Sequence, residues 1–427
     1  MKRVLVEELQ NCLGQTVTVE GWVLRMRRLS KVTFLLLRDR SGVVQAVLDP
    51  QLLKGQSLTA ESVVKIRGVV QAEPRSKQGY ELAAQEIEVM ALADQLPFNI
   101  NGEELNVPLD LALDHRVLSL RHTKTNAVFR IQAALVQAFQ EFLNGHGFVQ
   151  VFTPKLVASG TEGGTELFAV KYFEETAYLA QSPQFYKQML VGAGFERVYE
   201  IGQVYRAEKH ATTRHLNEYV SLDLEMGFIE SEHDIMDLQN QLLASMFAAV
   251  EMNCPKELKV LGVQLPEVPQ IPRVSLEEAL GILQREYGKM HQDSDLDPEG
   301  ERLLSQYVLE QTGSEFVYVT DYPWTKRPMY TMPKGEELTA SFDLMFRGLE
   351  ITTGGQRIHR HEALTANMRR KGLDPEDFTS YLGSFTLGMP PHGGLAIGLE
   401  RLTAQIIGLG NVREASLFPR DRHRLEP

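Results

Sequence analysis

The stretch Val198–Phe228, VYEIGQVYRAEKHATTRHLNEYVSLDLEMGF, decides how the rest of the chain is read. Val198, Tyr199, Ile201, Val204 and Tyr205 on one side, and Tyr219, Val220, Leu222 and Leu224 on the other, predict two strands. Between them Arg206, Glu208, Arg214, His215 and Glu218 fall within thirteen residues, so the pattern is a long hairpin with a charged middle. Two arginines and a histidine around one loop suit a polyphosphate, because guanidinium forks match phosphate oxygens bidentately. A solvated hairpin tip is the alternative that the loop alone leaves open.

Working outward, the next chemical constellation is GMPPHGGLAIGLERL, Gly388–Leu402. Gly393, Gly394 and Gly398 strip side chains from a strand and the turn after it, as a planar ligand or a close backbone approach requires. Arg401 falls in the first turn of the helix expected from Leu399. A cation there gains nothing from the helix dipole, so its work lies outside the helix, and stacking on an aromatic base is a sensible use.

Residues 16 to 90 carry five short apolar or alternating runs, TVTVEGWV, VTFLLLR, VVQAVL, SVVKIRGVV and YELAAQEIEV, with turn signals such as Asp39-Arg40-Ser41-Gly42 between them. They suit a small closed barrel of the oligonucleotide-binding type, with a generic five-stranded domain as the alternative. Residues 94 to 125, with Pro97, Asn99, Asn101, Gly102 and Pro108, lack periodicity and read as a linker. Val128, Ile131, Leu135, Phe139 and Phe142 then mark a helix that Gly145 and Gly147 stop. Strands are expected near 148–152, 177–181, 198–205, 219–228, 316–320 and 341–352, and mostly helix over 231–315. Without βαβ alternation, the expectation is an α+β chain: a five-stranded barrel over 1–98, a hinge over 99–125, and an antiparallel sheet flanked by helices over 126–427.

Composition narrows the function. The 427 residues are 43% hydrophobic and 23% charged, with no apolar run long enough to cross a bilayer, so no membrane partner is expected. The opening MKRVLVEELQNCLGQ lacks the apolar core and cleavage site of a signal peptide, which makes the cytoplasm the expected compartment. Two distant cysteines, Cys12 and Cys254, support neither a disulfide framework nor a zinc site. A net charge of −12 argues against diffuse binding to DNA, yet Arg25, Arg27, Arg28, Lys31, Arg38 and Arg40 cluster early against one acid, Asp39, and leave room for a specific RNA.

With these residues in view, Val198–Phe228 resembles motif 2 of the class II aminoacyl-tRNA synthetases and Gly388–Leu402 resembles motif 3. GFVQVFTPKL, Gly147–Leu156, is similar to motif 1, with its proline at Pro154. Together with an oligonucleotide-binding barrel they resemble subclass IIb, the aspartyl, asparaginyl and lysyl enzymes, and above all the archaeal type of aspartyl enzyme. The resemblance runs essentially end to end. It implies a homodimer through motif 1, with ATP, L-aspartate and tRNA-Asp as substrates and Mg²⁺ as the metal.

The same resemblance implies roles residue by residue. Arg206 would hold the α-phosphate and the reacting carboxylate, Glu208 the adenosine side, and Arg214 and His215 the terminal phosphates, with Leu216 and Gly398 also at the nucleotide. Arg401 would stack on adenine. Glu350, with Thr353 nearby in GLEITTGGQR, is the implied Mg²⁺ ligand; relatives often have serine at the second position, and threonine keeps the hydroxyl. One carboxylate plus substrate phosphates is the usual magnesium arrangement. GTEGGTELF, Gly160–Phe168, resembles the mobile loop over the amino acid, with Glu162 near its ammonium group. Gln184 and Lys187 in QSPQFYK, with Arg357, would line the amino-acid pocket, joined by Arg206 and Thr353. Lys187 and Arg357 would meet the side-chain carboxylate, and neutral asparagine would leave those cations without a partner. Asparaginyl enzymes usually lack this lysine, which favours aspartate.

In the barrel, Phe34 and Gln45 match positions that stack on and bond to anticodon bases, with Arg25 and Lys77 as further contacts. Core packing is the alternative for Phe34. Relatives that also charge tRNA-Asn and those that do not differ at the positions of Leu24 and Lys77, and leucine with lysine matches neither set. The tRNA range therefore stays open. The other readings are an asparaginyl enzyme of the same subclass and an inactive RNA-binding relative. The latter predicts missing catalytic residues, whereas Arg206, Glu208, Glu350, Arg357 and Arg401 are all present.

Overall fold

The computed structural model describes residues 2–427 except 54, 56, 77, 161–165, 210–211 and 291–294. Two compact units emerge, Met1–Pro108 and Leu109–Pro427.

The first unit is the five-stranded closed barrel that the alternating runs predict: β1 Thr16–Arg28, β2 Thr33–Arg38, β3 Val43–Leu48, β4 Val63–Ala72 and β5 Tyr80–Ala91, in the order β1-β2-β3-β5-β4. Alternation puts Val19, Val23, Leu35, Leu37, Val44, Ala46, Val64 and Ile66 in its core, each with no exposed surface. Phe34 therefore points outward and is half-buried, which removes the core-packing alternative. Register places Arg25 opposite Leu36 and Leu36 opposite Gln45, so Arg25, Phe34 and Gln45 share one outer face of β1, β2 and β3.

The second unit is built on an eight-stranded sheet. In chain order its strands are β6 Val149–Gln150, β7 Arg197–Tyr205, β8 Glu218–Gly227, β9 Arg273–Ser275, β10 Phe316–Thr320, β11 Ser341–Phe346, β12 Leu349–Arg357 and β13 His392–Gly398. In space they run β9-β10-β11-β12-β13-β8-β7-β6. The inner pairs are antiparallel as expected, while the two outer pairs, β6 with β7 and β9 with β10, run parallel. Long connections make those parallel pairs possible.

Helix α1, Thr123–Gly145, and helix α2, Glu232–Asn253, cover one face of the sheet. Ile131, Leu135, Phe139, Leu242, Met246 and Phe247 pack there with Leu222, Leu224, Phe342, Leu344 and Ile397. Side chains of β8 alternate, so the face opposite Leu222 and Leu224 carries Tyr219, Ser221, Asp223 and Glu225. Ser231 caps α2 by accepting from the His233 amide at 3.2 Å, and Asp234 reaches back to the Ser231 amide at 3.3 Å.

Two expectations are corrected. The run 341–352 is not one strand but the hairpin β11–β12, turning at Arg347 and Gly348 with φ of +49° and +78°. A tight turn needs such left-handed residues, and Arg-Gly is a weaker turn signal than Asn-Gly. Residues 109–125, read as part of a linker, carry short helices at Leu109–Asp114 and Arg116–Ser119 before α1 begins. What holds them is distant in sequence: the buried Arg116 guanidinium donates to the Leu417 and Ser416 carbonyls at 2.8 and 2.6 Å.

Candidate active site

The hairpin β7–β8 pairs in register from Arg197↔Met226 to Tyr205↔Glu218, so its charged tip begins where the ladder ends. Asn217 closes that tip, donating from Nδ2 to the Arg206 carbonyl at 2.7 Å and the Glu208 carbonyl at 2.9 Å. Arg206, Glu208, Arg214, His215 and Leu216 then line one cleft with Tyr219, Glu350, Thr353, Gly398, Glu400 and Arg401, enclosing about 650 Å³. Every residue expected at the nucleotide is thus on one surface.

Within the cleft, Glu208 stands between Arg206, 3.8 Å from its Nη1, and His215, 3.9 Å from its Nε2. Arg206 also lies over the Tyr219 ring, 5.8 Å from the centroid. Across the cleft Arg401 donates from Nε to the Arg214 carbonyl at 3.3 Å and from Nη1 to the Glu350 carbonyl at 3.0 Å. Its guanidinium is thereby fixed outside its own helix, α3 Leu399–Ile407.

Glu350 and Thr353 are three residues apart on β12, a spacing that would place them on opposite faces of a regular strand. A β-bulge intervenes: Met345 pairs with Glu350 but Leu344 pairs with Thr352. It turns both side chains to the cleft, where Thr353 Oγ1 donates to Glu350 Oε1 at 3.0 Å. Asp343, opposite Thr353 in register, is buried and 2.8 Å from Arg327 Nη2. Burial raises the Asp343 carboxyl above the usual range, against the pull of Arg327.

A second cavity of about 2120 Å³ adjoins the first, sharing Arg206, Thr353 and Ala396 in its wall. Gln184, Asp223 and Arg357 line it. Helix α4, Gln184–Leu190, lays a polar face on the sheet because Gln184, Lys187 and Gln188 recur at helical spacing. Gln184 Nε2 donates to Glu225 Oε2 at 3.2 Å, and Lys187 Nζ sits 2.7 Å from Asp223 and 3.5 Å from Glu225. Arg357 donates from Nε to Glu225 Oε1 and from Nη2 to the Gly394 carbonyl, both at 3.0 Å. Burial alone would raise the Glu225 carboxyl; Arg357, Lys187 and His392 outweigh it and hold the group below its ordinary value. Gly394 is required here, since a Cβ would lie 2.2 Å from Glu225 Oε2 and from the Leu224 carbonyl.

Lys187 is wholly buried, with its ammonium 2.7 Å from Asp223, which itself lines the cavity. Glu162 and Lys77 lie outside the described residues. Asp223, Glu225, Asp343 and Glu400 escaped the sequence reading. The alternation Leu222-Asp223-Leu224-Glu225 was the available signal for the first two: acids at every second position of an apolar strand share one face. Glu400 had no such signal. Both its oxygens accept from the Val220 amide at 3.1 Å, and burial pushes its carboxyl up to about 7.

A family model described as tRNA synthetases class II (D, K and N) matches residues 108–422, and one described as an OB-fold nucleic acid binding domain matches residues 17–90. The chain is 49% identical to an aspartate–tRNA(Asp/Asn) ligase of Thermus thermophilus, over 100% of both chains. It is 43% identical to an aspartate–tRNA(Asp) ligase of Pyrococcus abyssi, over 99% of this chain and 98% of the other. Among solved structures, the asparaginyl-tRNA synthetase of Pyrococcus horikoshii with asparaginyl-adenylate superposes with a TM-score of 0.93 at 32% identity, covering 100% of each chain.

Proposed function

Because the chain belongs to the class II tRNA synthetases of the aspartate, lysine and asparagine group, we propose that it is an aspartate–tRNA ligase, activating L-aspartate with ATP and transferring it to tRNA-Asp. The observation that carries the choice of amino acid is the Arg357 guanidinium on the cavity wall beside the nucleotide cleft, backed by Lys187. An aspartate carboxylate can make a charge-assisted pair with that guanidinium, and the neutral amide of asparagine cannot. A polar site can reject such a mismatch by roughly 10⁴. The fold itself does not separate the two substrates, since asparaginyl and aspartyl enzymes superpose alike at 31–32% identity; what supports aspartate is that relatives at 43–49% identity are named aspartate ligases.

The first step needs no general base, because the aspartate α-carboxylate is ionised at neutral pH. Its oxygen bonds to the α-phosphorus while the bond from that phosphorus to the bridging oxygen breaks, and pyrophosphate leaves with the electron pair. Arg206, shared by both cavities, lies where it can hold the α-phosphate and the carboxylate together. Arg214 and His215 hold the terminal phosphates, and Arg401, anchored by two carbonyls, stacks on the base. Catalysis is then mainly alignment and charge stabilisation. In the second step the 3′-hydroxyl of the terminal adenosine attacks the aspartyl carbonyl and AMP leaves.

Mg²⁺ suits the oxygens gathered at the β12 bulge. The carboxylate of Glu350 and the hydroxyl of Thr353 are hard donors 3.0 Å apart, with the Asp343 carboxylate across the ladder. Bound there with ATP, the ion would offset phosphate charge. The outer face carrying Phe34, Gln45 and Arg25 is the anticodon contact, and the motif 1 strand, with Phe152 82% exposed beside it, is the homodimer contact. Charging separate tRNA-Asp and tRNA-Asn transcripts with labelled aspartate tests the reading and fixes the tRNA range. Aspartyl-tRNA-Asp is the expected product; its absence would refute the assignment.

A further inference from the structure

Arg214 does not stand alone at the nucleotide cleft. Its Nη2 forms an ion pair with Glu301 on helix α5, Pro298–Thr312, a rigid element behind the cleft wall. Arg214 lines the cleft; Glu301 does not. The carboxylate side chain is only 11% exposed and that of Arg214 22%, so solvent screens the pair little. Burial pushes the Glu301 carboxyl up to about 7, against the attraction of Arg214.

A buried carboxylate is an odd neighbour for a polyphosphate. Its field opposes an incoming anion, and Glu350 already places another carboxylate in the same cleft. Geometry resolves the conflict. Arg214 sits in the irregular segment between Tyr205 and Glu218, outside the strand ladder, where an arginine side chain has many rotamers to lose on binding. A guanidinium has five donors, and Arg214 spends one nitrogen, Nη2, on Glu301. The remaining donors can still meet phosphate, so the ion pair and the nucleotide do not compete for the same atoms. The Arg214 carbonyl meanwhile accepts from Arg401 Nε at 3.3 Å, so fixing Arg214 also steadies the opposite wall.

We propose that Glu301 is a positioning residue for ATP: anchored on α5, it holds the Arg214 guanidinium against the cleft wall in the orientation that receives the terminal phosphates. The proposal rests on the nucleotide reading of this cleft, but the test below does not depend on which amino acid is activated. Preorganisation of this kind lowers the ordering cost of binding.

Calorimetric titration of the full chain with ATP and with AMP, in Mg²⁺ buffer, separates the terminal phosphates from the rest of the nucleotide. For Glu301→Ala the dissociation constant for ATP rises about tenfold and that for AMP stays within about twofold. Glu301→Gln keeps an acceptor for Nη2 and rises about threefold, which keeps the test open if the alanine variant unfolds. In Arg214→Ala, adding Glu301→Ala changes ATP binding no further, because the carboxylate acts through the arginine. Tighter ATP binding in either glutamate variant would make Glu301 a mere competitor for Arg214. Unchanged ATP binding, or equal loss for AMP, would also overturn the proposal. Failure of the wild type to bind ATP at all would refute the nucleotide reading instead.

Discussion

On the nucleotide side of the cleft, the Arg206 side chain is 41% exposed and Glu208 lies 3.8 Å from it. On the amino-acid side, Lys187 is wholly buried 2.7 Å from Asp223, and Arg357 is 3.0 Å from Glu225. One half lines its cleft with cations that a ligand bringing several charges of its own can still reach: Arg206 is partly exposed, while Arg214 and Arg401 are anchored by Glu301 and by two carbonyls. The other half has its charges already paired and desolvated, so that a single carboxylate more or less is felt. Binding strength can come from the first arrangement, but discrimination needs the second, where an unmatched charge cannot be rescued by water.

Breaking the buried side should cost the most. Lys187→Ala leaves Asp223 and Glu225 short of a cation, and removing one partner of a buried pair costs about 3–5 kcal/mol. Thermal unfolding should fall accordingly, and among molecules that remain folded the KM for aspartate should rise; an unaltered melting temperature would show the pair to be dispensable. The exposed side should fail differently. Arg206→Ala should lower pyrophosphate exchange by roughly 10²–10³, the typical loss for one transition-state donor, while leaving thermal unfolding nearly unchanged. A comparable fall in stability would erase the contrast between the two halves.

A subtler change sharpens the comparison. Gly394→Ala puts a methyl group 2.2 Å from Glu225 Oε2 and adds no charge, so it should cost about 1–3 kcal/mol of stability and raise the KM for aspartate more than that for ATP. Equal effects on both substrates would mean that Glu225 does not define the amino-acid half. In the barrel, Phe34→Ala should weaken aminoacylation by about 1–3 kcal/mol, the worth of one stacked base, and spare pyrophosphate exchange. Equal loss in the two assays would point to misfolding of the barrel.

Legibility in the sequence followed how local each determinant is. The barrel strands and the β7–β8 hairpin were readable because alternation and charge lie in contiguous runs, and the residues proposed for the nucleotide could be named because they sit in three short runs around Arg206, Glu350 and Arg401. Asp223 and Glu225 were hidden as ordinary strand residues; only the register with β13 and the placement of α4 shows that they hold Arg357 and Lys187. The β11–β12 turn was missed because Arg347 adopts a positive φ that arginine does not announce, and the Gly348 after it makes a weaker signal than Asn-Gly. The bulge that aims Glu350 depends on pairing with another strand, and no single segment records it. The full burial of Lys187 against Asp223 is equally unrecorded, because a sequence names a residue but not its depth.

The central claim is that a buried, prepaired set of charges makes this site select aspartate. Pyrophosphate exchange on the wild-type chain, driven in parallel by aspartate and by asparagine, tests it most directly. Exchange should depend on aspartate, with asparagine lower by several orders of magnitude in kcat/KM; exchange that runs as well or better with asparagine would contradict it.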